Sequence, residues 1–444
     1  MKYITKILVI IFISFTLQNI SAQEKLTLSQ AITIALNQNS SIVKSKNSLG
    51  SSEAAIKNAY GNLIPSLSFS SGWNWQRSSN SKGTTVVNYF GEAQDLGATT
   101  SDTRGYSMSL GGNVTLFDGL SNLTTIDMKK NDLEAAKYDL EKLRQDVTLQ
   151  TVSLFVTIVN DEKILSFQQE DQRYNEDLLN KVKEMFELKM VTNSDLYSQE
   201  YQTSNSQLAY LQAKSNYEKA KISLLNYLSK DVLADYKFEI DSTYIPSISQ
   251  YTDNAEQIYA TALNNRNDYQ SQKAQLLSAQ YQQTIASSGY FPSLSGNYGL
   301  STSSTDPSEL FTRKVYSVGL SLNFPIFSHW NTEYSVQSAK ILIENTQEDL
   351  NTLERQIKSD VKNALIDLET TKLQLDVSKS AVKSSKETWS IKKSSYLLGS
   401  ATYIDQQLAY KDYVQAMNNE IAAESNYIYK QFGLLSAIGL LKTN

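Results

Sequence analysis

One histidine, no cysteine and scattered acids are what this 444-residue chain offers for chemistry. His329 stands beside Trp330 at a strand-to-helix junction, with no second His and no Cys to complete a metal site, so it reads as structural or interfacial. Adjacent acids such as Glu348 and Asp349 fall on a helical pattern and read as solvated charge rather than as the spaced carboxylate pair of a glycosidase. No Gly-rich phosphate loop occurs, so nothing in the chain is built to hydrolyse ATP. The residues predict no enzyme, no cofactor and no resident metal. Two acids stand out by position instead. Asp195 ends the turn-prone run Thr192-Asn193-Ser194-Asp195, and Asp405 follows the equivalent run Gly399-Ser400-Ala401-Thr402, each between two long helical patterns.

The elements that hold those acids are written in the composition. With 41% hydrophobic residues and a mean hydropathy of -0.37, the chain lacks the repeated apolar runs of a multi-pass helical membrane protein. Its one apolar run, Ile7 to Leu17, follows Lys2 and Lys6 and precedes Ile20-Ser21-Ala22, which predicts a secretory signal peptide over 1–22 and an exported mature chain. Loss of Lys2 and Lys6 takes the formal charge from -5 to -7, which excludes the basic balance of a nucleic-acid binder. Export without cysteine leaves packing and pairing alone to stabilise the fold.

Glycine and proline are segregated. Neither occurs from Leu120 to Ile245 or from Asn331 to Leu398, whereas nine of the 17 Gly fall between Gly61 and Gly119. The two kinds of stretch are each present twice. Ile64-Pro65-Ser66-Leu67-Ser68 recurs as Phe291-Pro292-Ser293-Leu294-Ser295, an offset of 227, and Phe117 and Asp195 recur as Phe327 and Asp405, an offset of 210. The difference predicts a 17-residue insertion in the first copy, a surface loop around Ser78 to Thr103. Leu133, Leu140, Leu143, Val147, Leu154 and Ile158 correspond to Ile343, Leu350, Leu353, Ile357, Ala364 and Leu368, an apolar stripe at coiled-coil spacing. A helix over about Leu120 to Leu188 would run roughly 100 Å before its break. Each copy therefore predicts a long helical hairpin.

The Gly-rich segments alternate with period two. Leu67, Phe69, Trp73 and Trp75 oppose Ser68, Ser70, Asn74 and Gln76; Leu110 lies opposite in sense to Ser109, and Leu320 and Phe324 to Ser321 and Asn323. A soluble sandwich shows the same alternation. The small uncharged inner set and the aromatic outer set favour lipid-facing strands around a wet lumen, with Leu67, Phe69, Trp73, Trp75, Leu110, Leu320 and Phe324 toward lipid. Four strands cannot close a barrel alone, whereas three copies would supply 12.

Across about Leu26 to Gly433 the chain resembles the TolC family of outer-membrane efflux ducts. The resemblance is carried by Leu26-Thr27-Leu28-Ser29-Gln30-Ala31-Ile32 with Ala35-Leu36 and Asn39, by the repeated Pro-Ser-Leu-Ser strand starts, and by Tyr396, Gly399, Ala401 and Asp405 at the second hairpin tip. It implies a mixed α and β membrane fold: a homotrimer with one 12-stranded outer-membrane β-barrel continuous with a periplasmic α-helical barrel. On that pattern the chain divides into signal peptide 1–22, first repeat 23–227, equatorial segment 228–253, second repeat 254–432 and C-terminal tail 433–444. The repeats carry strands at about 64–76 and 105–117, then 291–301 and 314–327, with hairpins over 120–228 and 331–432. The implied role is a passive exit duct of a tripartite efflux or type I secretion system, with a periplasmic adaptor and an inner-membrane pump as partners. Asp195, Tyr396 and Asp405 match the family's periplasmic gate, and a Tyr396 hydroxyl to Asp195 carboxylate hydrogen bond is the implied closing link. Ala401 stands where some members have an arginine, and Leu408 where some have a second aspartate, so this gate is thinner than theirs. The competing reading is an exported periplasmic coiled-coil structural or adaptor protein with a small β-domain, in which Trp73, Trp75 and Phe324 would be buried in a protein core.

Overall fold

The computed structural model describes residues 24–81, 83–241, 244–246 and 255–442; the signal peptide expected over 1–22 and part of the equatorial segment lie outside them. The described residues fall into two units, one within Met1–Ser48, Lys137–Ser271 and Leu350–Asn444, the other within Leu49–Ala136 and Gln272–Asp349. No described helix is long and apolar enough to cross a membrane.

In the first unit, β1 (Glu24–Thr27) pairs in parallel with β6 (Tyr236–Glu239), setting buried Leu26 against buried Phe238. Thr27 then caps α1 (Leu28–Gln38): its hydroxyl accepts from the Gln30 amide while the Gln30 side chain accepts from the Thr27 amide. That box aims Leu28, Ala31, Ile32 and Ala35 inward, which explains why the Leu-Thr-Leu-Ser-Gln-Ala-Ile run is spelled as it is. α2 (Ser40–Gly61) follows, and α5 (Ala255–Asn265) and α6 (Asn267–Ser287) are the second copy's equivalents.

The hairpins are duplicated to the residue. α3 (Ser121–Glu187) and α7 (Asn331–Leu397) each have 67 residues, and α4 (Asn193–Tyr227) and α8 (Tyr403–Ala437) each have 35. Their left-handed residues repeat as well. Lys189 and Gly399 end the first helices with φ of 59° and 74°, and Gly119-Leu120 recurs as His329-Trp330, all four with positive φ. His329 thus sits where the first copy uses glycine, a conformation that costs a non-glycine residue about 1 kcal/mol. The core repeats in step: Ile258, Ala262, Ile357, Val361, Leu368, Leu434 and Ile438 form one buried cluster. Arg266 ties it down, with a bidentate pair to Asp268 at 3.0 and 2.6 Å and a third bond to Asp360 at 2.9 Å.

Two expected boundaries move. α8 continues to Ala437 rather than ending at 432, because Phe432, Leu434 and Ile438 are all buried and their packing outweighs the helix penalty of Gly433. The insertion around Ser78 to Thr103 is not only a loop: β2 (Ser68–Asn80) and β5 (Thr99–Phe117) run on into it, and β3 (Thr84–Val87) pairs with β4 (Ala93–Leu96) between them. Pairing satisfies backbone groups that a loop would leave to water, and its Thr and Val residues favour strand.

In the second unit the sheet order is β2-β5-β7-β8, all antiparallel, with β7 (Ser293–Ser304) and β8 (Lys314–Asn323). β2 starts after Pro65 and β8 stops before Pro325, since proline has no N–H to donate to a ladder. Leu67 and Phe324, expected within strands, therefore flank them. The four strands form an open sheet with β2 and β8 as edges; among the described residues no barrel closes.

Candidate functional site

The register sorts the sheet into two faces. Phe69 pairs with Leu110, Leu110 with Leu300, and Leu300 with Tyr316, so one apolar row crosses all four strands. Trp73, Trp75, Tyr106, Tyr298, Val318 and Leu320 share that face by alternation, and the large residues expected toward lipid are exposed on the chain. Beyond Trp75 on the same face, Arg77 forms a bidentate pair with Asp102 at 2.7 and 2.8 Å and lies 5.5 Å from the Trp75 ring. The other face carries Ser, Asn and Gly. Ser70 and Ser109 share a hydrogen bond of 2.7 Å across it, and a Cβ on Gly105 would lie 2.2 Å from Asn74 Oδ1, so the asparagine needs glycine opposite.

At the hairpin tips, Asp195 and Asp405 occupy the same local structure. Each is the third residue of its helix, and each closes a capping box with a threonine. Asp195 Oδ2 accepts from the Thr192 amide at 2.9 Å and its hydroxyl at 2.8 Å; Asp405 Oδ2 accepts from the Thr402 amide at 3.1 Å and its hydroxyl at 2.8 Å. The Thr402 hydroxyl bond holds the Asp405 carboxyl below the usual carboxylate range. Tyr396 does not join them. The Tyr396 to Asp195 hydrogen bond implied by the resemblance is absent within the chain: the Tyr396 hydroxyl is buried without a partner, and Asp195 Oδ2 is taken by its own cap. Burial first, and the nearby Asp195 charge second, push the Tyr396 phenol up.

Behind the tips lies a polar lattice that sequence reasoning missed. Asn175 and Gln199 are fully buried, and Asp171 is only 6% exposed. Asp171 Oδ1 accepts from the Tyr410 hydroxyl at 2.5 Å and from Asn175 Nδ2 at 3.0 Å. Gln199 donates to the Asn175 carbonyl at 3.1 Å and accepts from the Tyr403 hydroxyl and from Gln407. Trp389 stacks on Tyr413 at 5.3 Å, and Lys393 lies within 5.3 Å of both the Trp389 and Tyr174 rings. Four helices, α3, α4, α7 and α8, are thereby locked together. One signal could have found it: Leu140, Val147, Leu154, Gln168, Asn175 and Val182 lie on one seven-residue spacing, so amides occupy core positions.

The family model described as outer membrane efflux protein matches residues 31–230 and 258–440. The chain belongs to the outer membrane efflux protein family. It is therefore a TolC-family efflux protein of the outer membrane. It is similar in fold to CusC (16% identity, TM-score 0.80, covering 93% of this chain and 92% of that one). It is similar also to the CmeC outer membrane channel of Campylobacter jejuni (21% identity, TM-score 0.77, 93% and 85% covered). A third likeness is to the open-state MtrE outer membrane channel of Neisseria gonorrhoeae (17% identity, TM-score 0.74, 94% and 90% covered). No curated protein matches the chain by sequence.

Proposed function

We propose that three copies of this efflux channel close a single 12-stranded barrel in the outer membrane, continuous with an α-helical barrel in the periplasm. The duct conducts substrate passively from an inner-membrane pump and a periplasmic adaptor to the exterior, in a tripartite efflux or type I secretion system. The observation that carries this reading is the open four-stranded sheet with one exposed apolar face, one Ser/Asn/Gly face and two unpaired edges. In lipid, each unsatisfied backbone group on such an edge costs several kcal/mol, so the edges must pair with other copies. The apolar face, including Leu67, Phe69, Trp73, Trp75, Leu110, Leu320 and Phe324, meets lipid, and the Arg77–Asp102 pair beyond Trp75 suits a membrane boundary.

At the periplasmic mouth, Asp195 and Asp405 supply rings of three carboxylates each, held in fixed rotamers by their caps. Tyr396 contributes bulk beside them. The two repeats, 23–227 and 254–432, each contribute half of one protomer's share of duct and mouth. The test is native mass measurement in mild detergent followed by planar-bilayer recording: three chains and a defined single-channel conductance are expected. A stable monomer in detergent, or extraction without detergent, would refute the assembly and favour a periplasmic structural protein.

A further inference from the structure

The duplication supplies a template for how one copy meets the next. β2 recurs in β7 at an offset of 227 (Ser66 to Ser293), and β5 recurs in β8 at an offset of 210 (Phe117 to Phe327). Both offsets hold in three dimensions. Ser70 faces Ser109 and Trp73 faces Tyr106, and their counterparts, Asn297 with Gly319 and Leu300 with Tyr316, also face each other. The sheet thus shows the pairing within a repeat twice, as β2–β5 and β7–β8, but the pairing between repeats only once, as β5–β7. The second occurrence would join β8 to β2, the two open edges.

We propose that β8 of one copy pairs antiparallel with β2 of the next in the register that β5–β7 displays. This rests on the trimer proposed above and deepens it by naming the seam residue by residue. Leu110 faces Leu300, which the offsets convert to Leu320 facing the partner's Trp73. Likewise Val114–Gly296 becomes Phe324 facing the partner's Phe69, and Met108–Thr302 becomes Val318 facing the partner's Trp75. On the other face Ser109–Ser301 becomes Gly319 facing the partner's Asn74, and Ser107–Ser303 becomes Ser317 facing the partner's Gln76.

Two independent features select this register. The rungs named above keep apolar with apolar and small polar with small polar, with Leu322 facing the partner's Ser71 and Tyr316 facing the partner's Arg77 as exceptions elsewhere in the seam, whereas a slip of one residue would invert the faces. A slip of two keeps the faces but misplaces glycine. Two inner-face asparagines stand against glycine in the next strand: Asn297 faces Gly319 and Asn74 faces Gly105, with Cβ positions 2.8 and 2.2 Å from the amide oxygens, while Asn113 faces Asn297 and Asn323 faces Ser293. The proposed seam continues that row as Asn297, Gly319, Asn74, Gly105, alternating across the boundary. The helices carry the same template. Lys163 and Phe167 of α3 meet Glu424 and Tyr413 of α8. Their counterparts on α7, Leu373 and Val377, are 58% and 68% exposed, a face left open for a helix of another copy.

A chain without cysteine makes the test direct. Ser317→Cys with Gln76→Cys, and Asn323→Cys with Ser70→Cys, should oxidise to covalent trimers on non-reducing denaturing gels. Opposed Cβ atoms lie within about 5.5 Å, whereas residues two places out of register lie about 7–8 Å apart, beyond disulfide reach. Ser317→Cys with Asn74→Cys or with Ser78→Cys should therefore link at least about fivefold less. Each single variant should be trimeric by native mass without covalent links, which separates misfolding from misregister. Preferential linking of an out-of-register pair, or no link in any pair among preparations that native mass shows to be trimers, overturns the seam. Absence of trimers in the parent overturns the assembly on which it rests.

Discussion

Tyr410→Phe tests whether the buried lattice holds the hairpins together. The substitution removes the shorter of the two hydrogen bonds to the Asp171 carboxylate, 2.5 Å from Tyr410 against 3.0 Å from Asn175, at a site only 6% exposed. A hydrogen bond to a charged group contributes about 1.5–3 kcal/mol, and Asn175 remains, so the loss should be near 2 kcal/mol. That is about a thirtyfold rise in the opening equilibrium. Hydrogen exchange of α3 and α8 amides at pH 7.5 should accelerate by that factor around residues 168–178 and 406–414. The pH dependence follows from burial, which raises the Asp171 carboxyl above its usual range. A raised folded-state value means that the charged form costs stability at neutral pH, a cost that fades as pH falls through the folded value toward the unfolded one. Losing the Tyr410 donor raises it further, so the gap between variant and parent should be widest at neutral pH and shrink in acid. Asp171→Asn keeps an acceptor without charge and should exchange no faster than the parent. Exchange in Tyr410→Phe within twofold of the parent at pH 7.5, or a gap that widens in acid, would refute the reasoning.

Leu110→Arg and Leu320→Arg should impair trimer assembly far more than Ser109→Arg and Ser321→Arg, because a charge against lipid costs about 2–4 kcal/mol near the midplane. Equal trimer yields by native mass would mean that the faces are assigned the wrong way round. Thr192→Ala and Thr402→Ala should each cost about 1 kcal/mol through loss of the cap, read as faster exchange in the first turns of α4 and α8. Asp405→Ala should weaken block by divalent or trivalent cations applied from the periplasmic side of a planar bilayer. Since Thr402 lowers the Asp405 pKa, parental block should persist into mildly acidic solution, and a variant with unchanged block would remove this ring from the gate. Tyr396→Phe should leave stability unchanged, because its hydroxyl has no partner in the chain to lose. A clear drop in thermal stability would mean that another copy supplies that partner.

The hairpins and the two strand faces were legible in the residues because each rests on patterns that recur within a few positions, and the duplication and the family because short runs repeat at offsets of 227 and 210. Period two, heptad spacing, the Thr-x-x-Asp caps and the Gly/Pro map act through neighbours along the chain, and such signals survive without a fold. Pro65 and Pro325 could even have set the strand limits, since the missing N–H is a local fact. What needed the tertiary structure was every pairing between distant segments: the strand order β2-β5-β7-β8, the Phe69–Leu110–Leu300–Tyr316 row, and the joining of Asp171 to Tyr410 across 239 positions. Tyr396 and Asp195 show the limit most plainly. Their residue types suit a hydrogen bond, but Thr192 lies three positions from Asp195 and is always within reach, whereas Tyr396 must be brought there by packing. Local partners are settled by spacing along the chain, and distant ones by which burial the whole fold can satisfy at once.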